Sequence, residues 1–178
     1  MVPAVRSTLD VALWLVSRAD SAGERLQPQK LQRLLYLAQA HYAGHHEGAK
    51  LMPATLLATA HGPLEPNVYH VFHGGPPPMQ MANPNPAVEE FLMGLWDRYG
   101  KRGAEDLLIE IRADGAFALA LKSGPNTEIT LELLTAGYGG EGRPPRLRGG
   151  AKAGAERGYL TATGKRATKW IPGSPRKG

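Results

Sequence analysis

The sequence predicts a mainly α-helical, compact domain of about five to six helices over residues 1–140, followed by a basic C-terminal tail over residues 141–178. Two observations favour helices: apolar residues recur at spacings of three and four, and Ser, Asn or Pro stands where several of these runs begin. A third observation sets the boundary, because the composition shifts to Gly, Pro, Arg and Lys after Gly139. One short β-pair near residues 50–60 is left open.

Two helices are predicted in the first third of the chain. The first covers residues 8–21, where Ser7 followed by Asp10 is typical of a helix start. The second begins at Pro28, which suits a first helical turn, and is expected to end at Gly44. Its apolar stripe comprises Leu31, Leu34, Leu35, Ala38 and Tyr42. This spacing predicts an amphipathic helix with one face in the core and the other in water.

The middle of the chain contains more turn signals. Residues 48–62 have no clear period and are predicted to be extended. Pro66 can open a short third helix. Residues 74–86 are rich in Pro and Gly and are predicted to form a loop. Asn85 then has the side chain of a good N-cap, which predicts a fourth helix over residues 86–99.

The last helical region is less regular. Residues 104–113 are predicted to be helical, whereas residues 116–122 fit a helix or a strand equally well. Thr127 is expected to cap a final helix. The residues expected to be buried in that helix are Ile129, Leu133 and Leu134.

Charge is divided unevenly along the chain. Residues 1–140 contain 11 Lys and Arg against 14 Asp and Glu, whereas residues 141–178 contain 10 against 2. The body therefore has a net charge of −3 and the tail one of +8. The chain has no cysteine, which excludes disulfides and thiolate metal sites. It also has no apolar run of membrane-spanning length and no signal-peptide core, so we expect a cytoplasmic protein.

Two strings in the body resemble a known family. Residues 26–39 read LQPQKLQRLLYLAQ, similar to the PxKLQKLLYFAQ string of the Panacea domain. About thirty residues later, HGPLEPNVY at residues 61–69 resembles the YGPVxPEVY string of the same family, with His61 in place of the usual aromatic residue. The resemblance covers about residues 7–138 and leaves the tail outside it.

The resemblance implies a function as well as a fold. A Panacea-domain protein of the SocA-like branch is expected to be the antitoxin of a type II-like toxin–antitoxin system. It would neutralise a cognate, co-encoded toxin by direct binding. The branch also implies a proteolytic adaptor, which delivers the toxin to a ClpXP-type protease through its ClpX-type unfoldase.

The two strings contain the candidate partner-binding residues. A helix face with Tyr, Arg and amide side chains has the chemistry of an interface hot spot, although an ordinary solvated face would have the same composition. The Gly-Pro turn would hold Val68 and Tyr69 beside the second helix, or it would serve only as a tight bend. The candidates are Lys30, Arg33, Tyr36, Gln39, His61, Pro63, Glu65, Val68 and Tyr69.

The tail allows three interpretations. It can be a solvated appendage, a segment that wraps around a protein partner, or a nucleic-acid-binding segment in which aromatic residues stack on bases. Its apolar content exceeds what a solvated tail needs. We therefore expect it to bind a partner through Tyr159, Leu160, Trp170 and Ile171.

Three functions from different classes follow from the sequence: a protein-binding antitoxin, a nucleic-acid-binding regulator that uses the tail, and a hydrolase or metal enzyme that uses histidines. His70 and His73 are spaced to share a helical face, and His41, His45 and His46 lie near a helix end. A structural zinc site needs about four ligands, and the sequence has no HExxH motif, phosphate loop or nucleophile elbow. We therefore predict no catalytic residue, no metal and no cofactor.

Overall fold

Residues 2–139 are described by the computed structural model, and they form seven helices and three short strands. In chain order these are α1 Thr8–Ser21, α2 Pro28–His45, β1 Leu57–Thr59, β2 Gly62–Leu64, α3 Pro66–Val71, α4 Pro86–Tyr99, α5 Ala104–Arg112, α6 Gly115–Ser123, β3 Thr127–Glu128 and α7 Leu131–Tyr138. The predicted mainly α class is confirmed. The region around residues 116–122, which the pattern left ambiguous, is α6. None of the helices in this range is both long and apolar enough to span a bilayer.

Helix α2 lies at the centre of the described residues. Its residues 31–40 are all buried, a run of ten without an exposed position. Helices α1, α3, α4, α5 and α7 and strand β2 all pack against it. The predicted amphipathic helix with a solvated face is therefore wrong. Because neighbours cover every side of α2, its polar side chains are buried together with its leucines.

Capping side chains start five of the helices. Ser7 accepts a hydrogen bond from the backbone N–H of Leu9, and Asn85 accepts one from the N–H of Val88. Glu65, Asp114 and Thr130 cap α3, α6 and α7 in the same way. Each cap satisfies a donor that has no partner within its helix. The starts that were predicted at Ser7 and Asn85 are therefore confirmed.

The strands form one antiparallel sheet in the order β2–β1–β3. Ala58 is paired with Pro63 on one side and with Thr127 on the other. The β-pair near residues 50–60 therefore exists. The prediction that Thr127 caps the last helix is wrong, because Thr127 lies in β3 and Thr130 is the cap. Ile129 is buried as expected, but it lies before the helix and its N–H bonds to the Leu56 carbonyl at 2.7 Å.

Gly44 brings α2 and α7 into close contact. The helix continues one residue past Gly44 to His45, so the expected end at Gly44 is wrong. A Cβ added at Gly44 would lie 2.3 Å from the backbone oxygen of Tyr138. A separation under 3 Å from backbone is not tolerated without movement. The glycine is therefore required because the C-terminal end of α7 lies directly against it.

We predict that Gly44→Ala lowers the free energy of unfolding by at least about 2 kcal/mol, because α7 must move away from α2. Gly94→Ala, also within a helix, is the matched control, since no atom lies within 4 Å of the added Cβ. That change should instead stabilise the protein by up to about 1 kcal/mol. Urea unfolding of both variants measures the difference. Equal stabilities would show that the close contact has no energetic role.

Candidate functional site

Polar side chains of α2 bind several different neighbouring elements. Lys30 donates to the backbone carbonyl of Gly100 at the end of α4 and lies 3.6 Å from the carboxylate of Glu24. Arg33 donates to Glu105 in the first turn of α5 at 3.1 Å. Because these bonds lead to separate elements, the string at residues 26–39 holds the surrounding loops on α2.

Gln32 holds the start of α3. Its side-chain oxygen accepts from the backbone N–H of Glu65 at 2.6 Å, and its amide nitrogen donates to the Glu65 carbonyl at 3.4 Å. The Glu65 carboxylate is fully buried and accepts from the N–H of Val68 at 2.7 Å. These bonds fix the turn after β2 and the direction in which α3 leaves it.

A buried carboxylate connects α2, α6 and α7. Asp114 has no exposed surface, and one of its oxygens accepts hydrogen bonds from the hydroxyls of both Tyr36 and Tyr138. Its other oxygen accepts from the N–H of Ala116 at 2.7 Å. Burial and the neighbouring Tyr138 and Asp114 raise the pKa of Tyr36 well above its ordinary value. Burial, followed by Asp114, likewise raises the pKa of Tyr138. Both phenols therefore stay protonated and can donate to the carboxylate.

The C-terminal half of α2 makes two further contacts. The Gln39 oxygen accepts from the N–H of Met52 at 3.2 Å, which holds the segment before β1. His41 Nε2 lies 2.8 Å from the hydroxyl of Tyr99, and that hydroxyl donates to Glu110 at 3.1 Å. Burial lowers the pKa of His41 to about 4, with Arg98 and His45 adding to the effect. The imidazole is therefore neutral near pH 7.

Most of the predicted partner-binding residues are not on the surface. The side chains expected to be exposed on α2 are enclosed by its neighbours: Arg33 is 4% exposed, Tyr36 0% and Gln39 4%. In the second string Pro63, Glu65 and Val68 are also buried, and Lys30 is half-buried. Only His61 and Tyr69 of the set are exposed. The expected exposure of this face of α2 is therefore wrong, because the spacing of polar residues does not show which side of a helix is covered, and the partner-binding role of these residues stays a prediction.

An open groove lies beside Tyr69. It has a volume of about 1030 Å³ and runs between the α1–α2 loop and the segment that follows α3. Leu26, Leu31 and Phe72 contribute apolar walls, and His73 lies on the rim. The Tyr69 ring is centred 6.3 Å from the His73 ring, and Tyr69 is 55% exposed. Within residues 2–139 it is the sole aromatic side chain among the exposed large apolar residues.

The metal site, the tail residues and the buried carboxylate remain to be compared with the sequence analysis. Among residues 2–139 there is no group of three or more His, Asp or Glu side chains placed to hold a metal ion. The tail candidates Tyr159, Leu160, Trp170 and Ile171 lie outside the described residues. Sequence reasoning missed Asp114 and Tyr138, although Asp before a helical run is a recognisable cap.

Comparisons of the chain with protein-family models, curated proteins and solved structures found no match. The residues of the groove and of the α2 contacts are therefore interpreted from their geometry and chemistry.

We predict that Tyr36→Phe and Tyr138→Phe each lower the free energy of unfolding by about 1.5–3 kcal/mol, the range for a hydrogen bond to a charged group. The double variant should deviate from the sum of the two losses, because both hydroxyls bind the same oxygen. Tyr42→Phe is a control, since no hydrogen bond of its hydroxyl is found within the described range. Chemical denaturation of these four variants and of the unaltered protein measures the losses. Strict additivity would contradict a shared carboxylate.

We predict that His41 makes stability fall as the pH decreases from about 6.5 to about 4. Its pKa is lowered in the folded state, so in this range the unfolded chain binds a proton that the folded protein does not. The loss attributable to His41 should be at most about 3 kcal/mol. His41→Gln should reduce the slope of unfolding free energy against pH, whereas His61→Gln, at an exposed position, should not. An unchanged slope in His41→Gln would contradict the prediction.

Proposed function

We propose that this chain is a non-catalytic, cytoplasmic antitoxin that neutralises a cognate toxin by binding it at the groove and Tyr69. The observation that carries the proposal is the exposed Tyr69 ring, centred 6.3 Å from the ring of His73, which lines an open groove of about 1030 Å³. Tyrosine is enriched among residues that dominate interface energies, because it buries a large area at a low cost in side-chain entropy. The resemblance of the two strings to the Panacea domain supplies the class of partner.

The support beneath Tyr69 strengthens this proposal. Its helix begins at the turn that Gln32 and the buried Glu65 hold through four hydrogen bonds to backbone and side chain. A surface that is rigid before binding loses less conformational entropy in the complex. Four of the polar residues in the two strings, namely Gln32, Arg33, Tyr36 and Glu65, thus have an indirect role. Gln32 and Glu65 hold the platform, whereas Arg33 and Tyr36 bind Glu105 and Asp114. The exposed residues around the platform make the contact.

We predict that Tyr69→Ala weakens toxin binding by about 2 kcal/mol or more, roughly 30-fold, while thermal stability stays unchanged. Leu119→Ala is the matched control, because Leu119 is 48% exposed on α6. The toxin to be tested is the product of the neighbouring reading frame, and calorimetry and rescue of cell growth are the measurements. If that product is not toxic, or if Tyr69→Ala binds it as tightly as the unaltered protein, the proposal fails.

Arg33→Glu distinguishes an effect on the protein interior from an effect on the contact surface. Since Arg33 is buried and bonded to Glu105, charge reversal should lower stability, and any loss of binding should follow from this loss of stability.

Delivery of the toxin to a ClpXP-type protease belongs to the same proposal. It is tested by comparing toxin half-life in cells with and without the ClpX-type unfoldase.

The charge of the tail favours a second candidate function, a nucleic-acid-binding regulator. Residues 141–178 have a net charge of +8 and contain Tyr159 and Trp170, whereas residues 1–140 have a net charge of −3. Phosphate contacts by Lys and Arg release counterions, so the affinity would fall steeply with salt.

We predict that, if this second function holds, replacing Lys165, Arg166 and Lys169 by Gln in the full chain lowers the salt slope of DNA binding by about 2–3. Replacing three body residues, Lys50, Lys101 and Lys122, is the control. Electrophoretic or fluorescence titration over a range of salt concentrations measures the slope. No binding at low salt, or an equal slope in both variants, would remove this candidate.

A further inference from the structure

A second cavity lies between the C-terminal end of α2 and one face of α4. Its volume is about 420 Å³, and it is separate in its lining from the groove beside Tyr69. The wall from α2 includes His41, His45 and His46, and the wall from α4 includes Phe91 and Arg98. The cavity thus combines an apolar ring, three imidazoles and a guanidinium. The rings of Phe91 and His46 also pack edge-on against Tyr42 of α2, with centroid distances of 5.2 and 4.0 Å.

Hydrogen bonds determine which nitrogen of His41 carries the proton. Glu110 is paired with Arg102, so its carboxylate is charged and can only accept hydrogen bonds. The hydroxyl of Tyr99 donates its one hydrogen bond to Glu110. Its oxygen can therefore only accept a hydrogen bond from His41. Because His41 is neutral, Nε2 carries the proton and Nδ1 is a free acceptor. No protein group within residues 2–139 donates to Nδ1.

Arg98 supplies the positive charge in the lining of this cavity. Its guanidinium lies 5.1 Å from the centre of the Tyr99 ring, and no carboxylate in the described range is within ion-pair distance of it. It is close enough to His41 to help lower the pKa of that imidazole. Glu90 is the one acidic side chain in the lining. Since guanidinium groups bind planar carboxylates through two parallel hydrogen bonds, Arg98 suits an anionic ligand group.

Gly94 keeps space open on the α4 wall. Glycine weakens a helix interior, yet a Cβ at this position would meet no atom within 4 Å. Packing of the described residues therefore does not require glycine here. A larger side chain at position 94, which lines the cavity, would project into its volume.

We propose that this cavity binds a small aromatic carboxylate that carries a ring hydroxyl or amine. The carboxylate pairs with Arg98, the ring packs against Phe91 and the exposed imidazoles, and the hydroxyl or amine donates to Nδ1 of His41. The proposal is independent of the groove and of toxin binding, since it uses a different surface and a different class of ligand.

The test uses the full chain with 4-hydroxybenzoate and benzoate as probes, followed by calorimetry and by NMR of the imidazole nitrogens. We expect saturable binding of both probes, with 4-hydroxybenzoate the tighter and with a shift of the His41 Nδ1 signal. Arg98→Gln should weaken binding at least about tenfold, the loss of one charge-assisted contact. Gly94→Leu should weaken binding strongly, because its side chain occupies part of the cavity.

Two controls keep the result interpretable. Arg6→Gln changes an exposed arginine that does not line the cavity, and it should bind as the unaltered protein does. Gly94→Ala should keep the fold and reduce binding less than Gly94→Leu, which separates filling of the cavity from damage to α4. The proposal is overturned if neither probe binds saturably in the millimolar range. It is also overturned if Arg98→Gln and Gly94→Leu, both folded by circular dichroism, bind as well as the unaltered protein.

Discussion

A buried helix with polar side chains must supply each of them with a hydrogen-bond partner, and this constraint organises the domain around α2. Desolvating an unpaired polar group costs about 1–3 kcal/mol, so a helix with four buried polar residues, Gln32, Arg33, Tyr36 and Gln39, would be unstable without partners. Here the partners are loop carbonyls, loop N–H groups and carboxylates at helix starts. The bonds that satisfy α2 therefore also position the elements around it. The exception within residues 2–139 is the amide nitrogen of Gln39, which has no partner.

The same principle explains how the C-terminal part of the described fold is placed. Asp114 caps α6 and at the same time accepts from a tyrosine on α2 and a tyrosine on α7. Gly44 lets the backbone of α7 approach α2 so closely that the Tyr138 hydroxyl reaches this carboxylate. One buried side chain, that of Asp114, thus joins three helices. Its energetic balance depends on all three donors being present, because a buried carboxylate that lacks donors is strongly destabilising.

Function must then be sought where side chains are not already committed to the interior. The groove beside Tyr69 and the cavity beside Arg98 fit this description, and they differ in chemistry. The groove is large and open, with apolar and charged residues in its lining and the exposed Tyr69 ring close to His73, which suits a protein surface. The cavity is smaller, and it brings together a guanidinium and a neutral imidazole nitrogen, neither of which has an ion-pair or hydrogen-bond partner among residues 2–139, which suits a small polar ligand.

The sequence alone was sufficient for the mainly helical class and for the starts of the first four helices. Caps at Ser7 and Asn85, prolines at the starts of α2, α3 and α4, and apolar spacing depend on contacts within a few residues, so the local pattern was sufficient. It also showed the separate, basic character of residues 141–178. Tertiary structure alone decided that Arg33, Tyr36 and Gln39 are buried, that Thr127 pairs in a sheet, and that Gly44 serves close packing. The physical reason is that burial on a polar helix face depends on partners such as Glu105, Asp114 and Met52, which lie 13 to 78 residues away along the chain.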